Sequence, residues 1–476
     1  MENISPIEFE ELRASLPPLW PDDQLGTGIE AYVRAENQCV VALDDDPTGT
    51  QTMHDIWVVT DWRFESLRDA LADNEPSMFI LTNSRSLPLP EAQELNRKIA
   101  GELVRAARAT GRKLIVVSRS DSTLRGHYPG EVDALAESLV EAGMPPFDGI
   151  CLVPCFFEGG RYTANDIHYV LEGSRLIPAA QTPYAGDAVF GYTHSNLPDW
   201  VEEKTGGRIK AGQVTSISLD TIRRGGPDAV AAQLKTVNNG VIVVNAMEYR
   251  DLQVFTSGLH QAQTAGKSFL FRSAAAIVKT AAGITDQALL TRADMVSSNS
   301  NQHGGLIVFG SHVPKSNLQL ESLLKLPDIF PYELPVEKVI ADSERAEVLQ
   351  QAVEQINSAL KSGRDTVLFT SRKVVTGQEA SVSLAISQRV SAALVEITQS
   401  ISAQPRFLIA KGGITSSDIA TQGLGVQRAR VLGQILPGVP VWKLGVESRY
   451  PGMSYVVFPG NVGGPESVAN VVKLLR

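Results

Sequence analysis

The sequence predicts an α/β protein of two lobes, each a mostly parallel sheet with flanking helices, with an active-site cleft between the lobes. Three observations predict this fold class. Short apolar runs alternate with longer helical patterns in both halves of the chain, polar residues directly follow the apolar runs, and a stretch rich in Ser, Asn and Gly separates the halves. Buried parallel strands covered by helices produce this spacing.

The first lobe is predicted from five apolar runs. They are CVVALDDD from Cys39, MFILTNSRS from Met78, KLIVVSRSD from Lys113, GICLVPC from Gly149 and GVIVVNAM from Gly240. Helical sequence such as PEAQELNRKIAGELVRAARATG lies between them. Residues 1–37 show no strong periodicity, so we interpret them as an N-terminal extension packed on the surface.

The second lobe follows a polar stretch, 297–305, which we interpret as a linker. The runs LIVFGSH, DTVLFTSR, RFLIAKGGITS, VPVWKLG and YVVFPGN repeat the plan of the first lobe, with helical sequence such as SERAEVLQQAVEQINSALKSG between them. The predicted domains are therefore 38–295 and 304–476.

Charge and cysteine content exclude several classes of function. The chain has 476 residues, with 53 Asp plus Glu against 43 Lys plus Arg and a formal net charge of −10. No excess of positive charge is available for a phosphate backbone, so nucleic acid is not expected as a partner. Three cysteines, an odd number, favour a reducing compartment, and we expect a cytoplasmic protein. No run reaches the roughly 18 apolar residues of a membrane span. For the oligomeric state, a homodimer is the default expectation.

The end of the first predicted strand is the densest candidate site. Asp44, Asp45 and Asp46 follow one another and lead into Thr48 and Gly49. In open α/β sheets, ligands bind beyond the carboxyl ends of the strands, and adjacent carboxylates need a cation, a sugar hydroxyl or helix amides to stabilise them. The alternative, in which one acid caps a helix and the others are solvated, stays open.

Two further strand ends carry candidate binding residues. The segment after the third run contains Asp121, Ser122, Arg125 and Gly126. Arg125 could form a forked contact with a substrate carboxylate or an ion pair within the protein, and both readings stay open. After the fourth run, Arg161 projects from a Gly-Gly loop and His168 follows; a lone histidine is more often structural than catalytic.

The second lobe has a different chemistry, in which glycines stand beside small hydroxyls. Such loops let backbone N–H groups approach phosphate. They follow three predicted strands, as Gly310-Ser311-His312, Lys411-Gly-Gly-Ile-Thr-Ser-Ser417 and Pro459-Gly-Asn-Val-Gly-Gly464. One such loop is ordinarily only a turn. Three at successive strand ends indicate a phosphate site.

The order of these motifs resembles the four-carbon acid sugar kinase family over about 39–476. The D-S-T-L-R-G motif is intact from Asp121 to Gly126, and the D-D-x-T-G motif is matched from Asp45 to Gly49. Further matches are Pro154 through Arg161 and Thr163 to His168, Thr182-Pro183 with Asp187, Gly310-Ser311, Gly412 to Ser416, and Gly460 to Pro465.

This resemblance implies an N-terminal lobe that binds a sugar acid and a C-terminal lobe that binds ATP with Mg²⁺, the protein ligands of the metal being unassigned. The implied reaction is transfer of the γ-phosphoryl group to a terminal hydroxyl, with lobe closure excluding water. The implied catalytic residues are Asp45, Asp46 and Asp121. The implied substrate-binding residues are Asp45, Thr48, Asp121, Ser122, Arg125, Gly126, Arg161 and His168. The implied nucleotide-binding residues are Ser311, Gly412, Gly413, Ile414, Thr415, Gly460, Asn461 and Gly463.

Three positions depart from the family pattern. Ile414 stands where many members carry an acidic residue, His127 replaces the asparagine that often follows D-S-T-L-R-G, and Asp44 extends the acidic pair to three. The substrate is accordingly left open among four-carbon acid sugars, 3-oxo-tetronates and a branched relative, 3-oxo-isoapionate. Two other classes are weighed: a non-catalytic sensor of nucleotide or sugar acid, and a lyase using Lys411 as a Schiff base.

Overall fold

The structure is a computed structural model that describes residues 4–296, 302–311, 314–372, 380–460 and 462–476, with the backbone alone for 380–385 and 387. The chain divides into two compact units. The first comprises Met1–Thr52 and Asp61–Asp286, and the second comprises Met53–Thr60 and Gln287–Arg476. Residues 297–301 of the predicted linker lie outside the described residues.

The strands confirm the apolar runs predicted from the sequence and add several others. In chain order they are β1 (Ile7–Glu8), β2 (Gln38–Asp44), β3 (Ile56–Val59), β4 (Ser77–Leu81), β5 (Lys113–Arg119), β6 (Gly149–Val153), β7 (Arg161–Ala164), β8 (Ile167–Glu172), β9 (Arg175–Pro178), β10 (Thr215–Ile217), β11 (Gly240–Val244), β12 (Phe269–Ser273), β13 (Leu306–Phe309), β14 (Ile329–Leu334), β15 (Asp365–Thr370), β16 (Leu408–Lys411), β17 (Arg428–Leu436), β18 (Val439–Leu444) and β19 (Ser454–Phe458).

The α-helices occupy the segments between strands, as the helical patterns predict. They are α1 (Phe9–Ser15), α2 (Leu25–Ala35), α3 (Phe64–Ala72), α4 (Leu89–Thr110), α5 (Gly130–Glu141), α6 (Leu197–Lys204), α7 (Gly226–Thr236), α8 (Tyr249–Thr264), α9 (Ala275–Ala281), α10 (Arg292–Met295), α11 (Pro314–Leu324), α12 (Val336–Ile340), α13 (Asp342–Lys361), α14 (Ala380–Ser400), α15 (Gly413–Asp418) and α16 (Ser467–Leu475). Among the described helices, none has the length and hydropathy that crossing a bilayer would require.

The main sheet of the first unit is parallel, in the order β10-β11-β6-β12-β5-β2-β4. Strand β2, between β5 and β4, is buried along its whole length, as its run of Val, Ala and Leu requires of a strand covered on both faces. Helix α4 packs against α3 and α5, and it ends where Gly111 takes φ 67°. Because β12, β5, β2 and β4 are neighbours, their carboxyl ends bring several polar segments together.

A second, antiparallel sheet in the first unit has the order β1-β9-β8-β7. The sequence did not predict this sheet, because its strands are short and carry charged and aromatic residues. It presents Arg161 at the start of β7 and His168 in β8. The segment before residue 38 contributes β1 to this sheet and also forms α1 and α2.

The sheet of the second unit has the order β3-β17-β18-β19-β16-β13-β15-β14. The pairs from β19 to β14 are parallel, whereas β3, β17, β18 and β19 pair antiparallel. Its core includes Phe309, Phe407 and Phe458, with α11 and α16 supplying Leu323 and Val472. The carboxyl ends of β13, β16 and β19 are adjacent, so the three glycine loops predicted from the sequence lie side by side.

Candidate functional site

The first of the three consecutive acids is a structural residue. The side chain of Asp44 is 2% exposed, and its Oδ1 accepts a hydrogen bond from Arg119 Nη1 at 2.9 Å. Burial raises the pKa of the Asp44 carboxyl to about 7, although Arg119 acts in the opposite direction. A Cβ at Gly49 would lie 1.9 Å from Asp44 Oδ2, so this loop must return over Asp44 as glycine.

The other two acids share one arginine. Arg85 donates from Nε to Asp45 Oδ2 at 3.1 Å, and its Nη1 lies 3.4 Å from Asp46 Oδ2. Ser120 Oγ also donates to Asp45 Oδ2, at 2.6 Å. Asp46 accepts from the backbone N–H of Thr48 at 2.9 Å and from the Thr48 hydroxyl. Asp45 is therefore fully engaged inside the protein, while Asp46 supports the turn of its own loop and is 24% exposed.

Asp121 and Arg125 form an ion pair within the D-S-T-L-R-G segment. Arg125 Nε donates to Asp121 Oδ2 at 2.8 Å, and Arg125 Nη1 lies 3.6 Å from Asp187 Oδ2. Thr123 also donates to Asp121 Oδ2. Burial alone would raise the pKa of Asp121, but Arg85, Arg125 and Thr123 outweigh it and hold that pKa well below its usual range. Asp121 is therefore a carboxylate throughout the physiological pH range, and among the described residues none donates to its Oδ1.

Buried side chains hold the main chain of the D-S-T-L-R-G segment in place. Gly126 takes φ 121°, and a Cβ there would lie 2.4 Å from Ser120 Oγ. Arg272, 1% exposed at the end of β12, donates to the carbonyls of Asp121 at 3.2 Å and Arg125 at 2.9 Å. Sequence reasoning missed Arg272, because an arginine inside an apolar run gives no sign of which carbonyls it will bind.

His168 lies beneath the same segment and is fully buried. Its Nε2 lies 2.7 Å from the Ser122 carbonyl and its Nδ1 lies 3.0 Å from Thr163 Oγ1. Burial lowers the pKa of His168 to about 4, so the ring is neutral, donating from Nε2 and accepting from the Thr163 hydroxyl. With none of its surface exposed, His168 holds the main chain at Ser122. We therefore expect it to position the segment rather than to touch a ligand.

Arg161 and Arg125 both lie close to the ring of Tyr184. The guanidinium carbons of Arg125 and Arg161 lie 5.1 Å and 5.8 Å from the centroid of Tyr184. Among the described residues, no carboxylate lies within ion-pair distance of Arg161, and its buried Nε has no hydrogen-bond partner. Arg161 is thus a cation with donors left for an anionic ligand. Tyr184 and Arg85 were not selected from the sequence, although both lie within motifs that it displays.

A buried carboxyl lies behind this cluster. Glu131, in the first turn of α5, accepts hydrogen bonds at Oε1 from Ser84 Oγ at 2.5 Å and Asn96 Nδ2 at 2.7 Å. Burial, reinforced by the charge of Asp45, raises the pKa of Glu131 to about 7. His127, one of the departures from the family pattern, lies with Nε2 2.9 Å from the Leu87 carbonyl. Both residues therefore contribute to the frame of the loops.

In the second unit the glycine loops converge on Ser311. A Cβ at Gly310 would lie 1.9 Å from Thr415 Oγ1, one at Gly412 would lie 3.3 Å from Ser311 Cβ, and one at Gly460 would lie 3.3 Å from Ser311 Oγ. Gly412 takes φ 121° immediately before α15 begins at Gly413. The 1.9 Å approach at Gly310 and the positive φ at Gly412 require glycine, and the closest atoms that these glycines meet belong to the small side chains of Ser311 and Thr415.

Buried side chains hold the third loop in place. Lys411 Nζ donates to the carbonyls of Pro459 and Gly460, the latter at 3.1 Å. Gln319 Nε2 donates to the carbonyls of Val462 and Gly464, each at 3.0 Å. Burial lowers the pKa of Lys411 to about 7, and its side chain is fully enclosed. This lysine therefore supports the loop and offers no accessible amine.

The remaining predicted nucleotide residues differ in what the structure describes. Ile414 is 64% exposed on α15, and Gly463 takes φ 82° beside Ser467. Asn461 and His312 lie outside the described residues. Among the residues that are described, no three His, Cys, Asp or Glu side chains are grouped to hold a metal ion.

Comparison with known proteins assigns a description to each half of the chain. A family described as a sugar-binding N-terminal domain matches residues 40–281, and one described as a nucleotide-binding C-terminal domain matches residues 306–468. A D-threonate kinase from Salmonella typhimurium (strain LT2) is 23% identical over an alignment of 419 positions, which covers 83% of this chain and 88% of that kinase.

Two solved structures have the same fold. A Salmonella typhimurium LT2 protein with the provisional description of a tRNA synthase is 17% identical, with a TM-score of 0.68 over 91% of this chain and 98% of that one. A Haemophilus influenzae protein of the DUF1537 family is 16% identical, with a TM-score of 0.61 over 92% of this chain and 100% of that one. At these identities the likeness concerns the fold alone.

Proposed function

Because the chain belongs to the four-carbon acid sugar kinase family, we propose that it transfers the γ-phosphoryl group of ATP to a terminal hydroxyl of a small sugar acid. The observation that carries this proposal is the close approach of three glycine loops at the ends of neighbouring strands, in which Gly412 and Gly460 lie against Ser311 and Gly310 lies against Thr415. The backbone N–H groups of Gly310 and Gly412 donate to the Lys411 and Phe458 carbonyls, so phosphate oxygens would be bound by other N–H groups of these loops. The proposed domains are the extension 1–37, an acid-binding domain 38–295 and a nucleotide-binding domain 304–476.

The acid is proposed to bind among the charged side chains of the first unit. Arg161 has donors left for a carboxylate, and Arg125 stands across the Tyr184 ring from it. Hydroxyl groups of the acid would bind Asp121, Ser122 and Thr48, with Asp45, Gly126 and His168 shaping the loops behind them. A polar pocket of this kind discriminates strongly between acids that differ by one hydroxyl.

The nucleotide is proposed to bind at the glycine loops of the second unit, with its phosphates near Ser311, Gly412, Gly413, Thr415, Gly460 and Gly463, and with Ile414 and Asn461 at the edge. Mg²⁺ is proposed to be held largely by phosphate oxygens and water, which fits a described donor set that offers no three-residue metal cluster. When bound, the ion would neutralise charge on the phosphates.

Asp121 is the carboxylate best placed to act on the attacking hydroxyl. Both oxygens of Asp45 are engaged by Arg85 and Ser120, whereas the hydrogen bonds to Asp121 fall on Oδ2. In the proposed step the hydroxyl oxygen bonds to the γ-phosphorus, the bond from that phosphorus to the β,γ-bridging oxygen breaks, and ADP leaves. Asp121 orients the hydroxyl and accepts its proton. Its low pKa suits orientation more than strong base catalysis, as a loose transition state allows.

The substrate is proposed to be a four-carbon acid sugar, a 3-oxo-tetronate or the branched 3-oxo-isoapionate. We place the reaction in the cytoplasm, where ATP is available and where Cys39, Cys151 and Cys155 stay buried thiols. The lyase alternative loses its nucleophile, because Lys411 is enclosed and bonded to two carbonyls.

A coupled ADP-release assay with Mg-ATP across these acids tests the proposal. ADP release is expected with one acid and is expected to fall on the order of a hundredfold or more in Asp121→Asn, since a positioned carboxylate contributes that much. Arg125→Ala is expected to raise the acid KM as well. Arg68→Ala and Asp69→Asn, which alter an exposed ion pair on α3, serve as matched controls and should retain activity.

Two results would contradict the proposal. ATP binding without ADP release on any acid of the panel would favour a nucleotide sensor. A borohydride-trapped adduct with a keto acid at Lys411 would instead establish lyase chemistry.

A further inference from the structure

Residues 4–16, which we call the N-terminal brace, lie before the sugar-binding family match at 40–281 but belong to the small antiparallel sheet. Strand β1 pairs with β9, with Ile7 opposite Leu176 and Glu8 opposite Arg175. The backbone N–H of Phe9 donates to the Ser174 carbonyl at 2.9 Å. The brace is therefore the edge strand of the sheet that carries Arg161.

One face of this sheet carries polar side chains, including Arg161, and the other face is apolar. Side chains alternate along a strand, so Arg161 and Thr163 project on one face of β7 while Tyr162 and Ala164 project on the other. Thr163 is opposite His168 in the register, which places the hydrogen-bonded pair on the face of Arg161. Anything that shifts the apolar face of this sheet would therefore shift Arg161 and the support of the Ser122 carbonyl.

The brace covers that apolar face. The Phe9 ring lies 5.1 Å from the Tyr162 ring, between centroids. Leu12, 4% exposed, belongs to one cluster with Tyr162, Ala164, Tyr169 and Leu176, and Ile7, Phe9 and Leu16 pack against this cluster. Without the brace, Tyr162, Tyr169 and Leu176 would lose part of their apolar cover, and exposing that surface to water is unfavourable.

A second contact reaches the segment that holds Tyr184. Gln181 Nε2 donates to the Ile4 carbonyl. Gln181 lies three residues before Tyr184, whose ring is near both Arg125 and Arg161. The brace thus touches both segments that present the proposed carboxylate site.

We infer that the N-terminal brace is a positioning element of the acid site, in which Phe9 and Leu12 hold the sheet so that Arg161 meets the substrate carboxylate. This inference rests on the proposed function for its ligand. It predicts that damage to the brace weakens acid binding selectively, leaving the nucleotide site of the second unit as it is.

The test compares Phe9→Ala with Trp20→Ala. Trp20 lies in the same N-terminal region, but its ring packs on Gly226 at the start of α7 and makes no ring contact with the small sheet. Phe9→Ala is expected to raise the acid KM about tenfold, the scale on which a small misplacement of a binding group acts. The ATP KM should stay unchanged, Phe9→Leu should recover most of the loss, and Trp20→Ala should leave both KM values near wild type.

Hydrogen exchange provides a readout that needs no substrate. Phe9→Ala should accelerate amide exchange in peptides covering 161–172 and 175–187, relative to Trp20→Ala. Equal exchange in the two variants, or an equal rise in both KM values, would overturn the inference. The two proposals can also be separated. If wild-type protein releases no ADP with any acid, but amide exchange is faster in Phe9→Ala than in Trp20→Ala, the result would count against the proposed function alone.

Discussion

In the first unit the candidate site is built from charged side chains, whereas in the second it is built from main chain and small hydroxyls. The acids of the first unit are held by Arg85, Arg119 and Arg125, with distances near 3 Å. The loops of the second unit depend on Gly310, where a Cβ would lie 1.9 Å from Thr415 Oγ1, and on Gly412, which takes φ 121°. A site of the first kind is sensitive to charge and pH, and a site of the second kind is sensitive to volume.

The largest effect is expected from Gly310→Ala. The new Cβ would lie 1.9 Å from Thr415 Oγ1, so the loops must separate and the backbone donors move. We expect ATP binding, measured by calorimetry, to weaken by about a hundredfold, an amount comparable to losing preorganised donors. Gly101→Ala, which meets nothing within 4 Å in the middle of α4, is the matched control. Normal ATP affinity in Gly310→Ala would refute a main-chain phosphate site.

The same substitution in the first unit should affect the other ligand. In Gly126→Ala, the Cβ would lie 2.4 Å from Ser120 Oγ on a backbone with φ 121°, which disturbs Asp45 and the Arg125 main chain. We expect the acid KM to rise about tenfold or more, given a strain of about 1–3 kcal/mol, with the ATP KM unchanged. A variant in which both KM values rise equally would show that the two sites are not separable in this way.

A pH series tests whether the stability of the first unit depends on the charge of the buried Glu131 carboxyl. Glu131 has a folded pKa raised to about 7 from 4.5, so the folded protein binds more protons than the unfolded chain between these values. Its contribution to stability is present below pH 4.5 and is lost as pH rises through 7. Glu131→Gln, which keeps an acceptor for Ser84 and Asn96, should therefore gain stability relative to wild type by on the order of 1 kcal/mol per pH unit across this window. Urea unfolding at pH 5, 6, 7 and 8 measures the difference, and a constant difference would contradict it.

The smallest effect is expected from Ile414→Glu. The side chain is 64% exposed, so its replacement should change the free energy of unfolding by about 0.5 kcal/mol or less. Any change in ATP KM would then report on the nucleotide or its metal rather than on folding. Thermal unfolding and ATP titration of this variant, with Ile414→Gln as the uncharged control, measure the two quantities.

The sequence was sufficient for most strands of the two main sheets, but it was insufficient for the small sheet and for the side-chain contacts at the strand ends. Apolar runs such as CVVALDDD are long enough that only a buried strand suits them, so the strands and the polar segments at their ends were predicted. Sequence position does not reveal which arginine pairs with which acid, since Arg85 and Asp45 are joined by folding alone. The small sheet was missed because strands such as Arg161–Ala164 and Arg175–Pro178 are only four residues long and begin with a charged residue.

Strand β3 lies early in the chain but belongs to the second unit, and this has a consequence for how the protein folds during synthesis. Ile56–Val59 leaves the ribosome among the first strands, yet it pairs with Arg428–Val431 in the last part of the chain. The first unit has all its strands once residue 273 has emerged, whereas β3 stays without β17, its neighbour in the second unit, until translation is nearly complete. An exposed strand edge invites wrong pairing. The yield of folded protein should therefore depend on the rate of elongation through the second half, and chaperones that shield apolar strands would act on Ile56–Val59 during that interval.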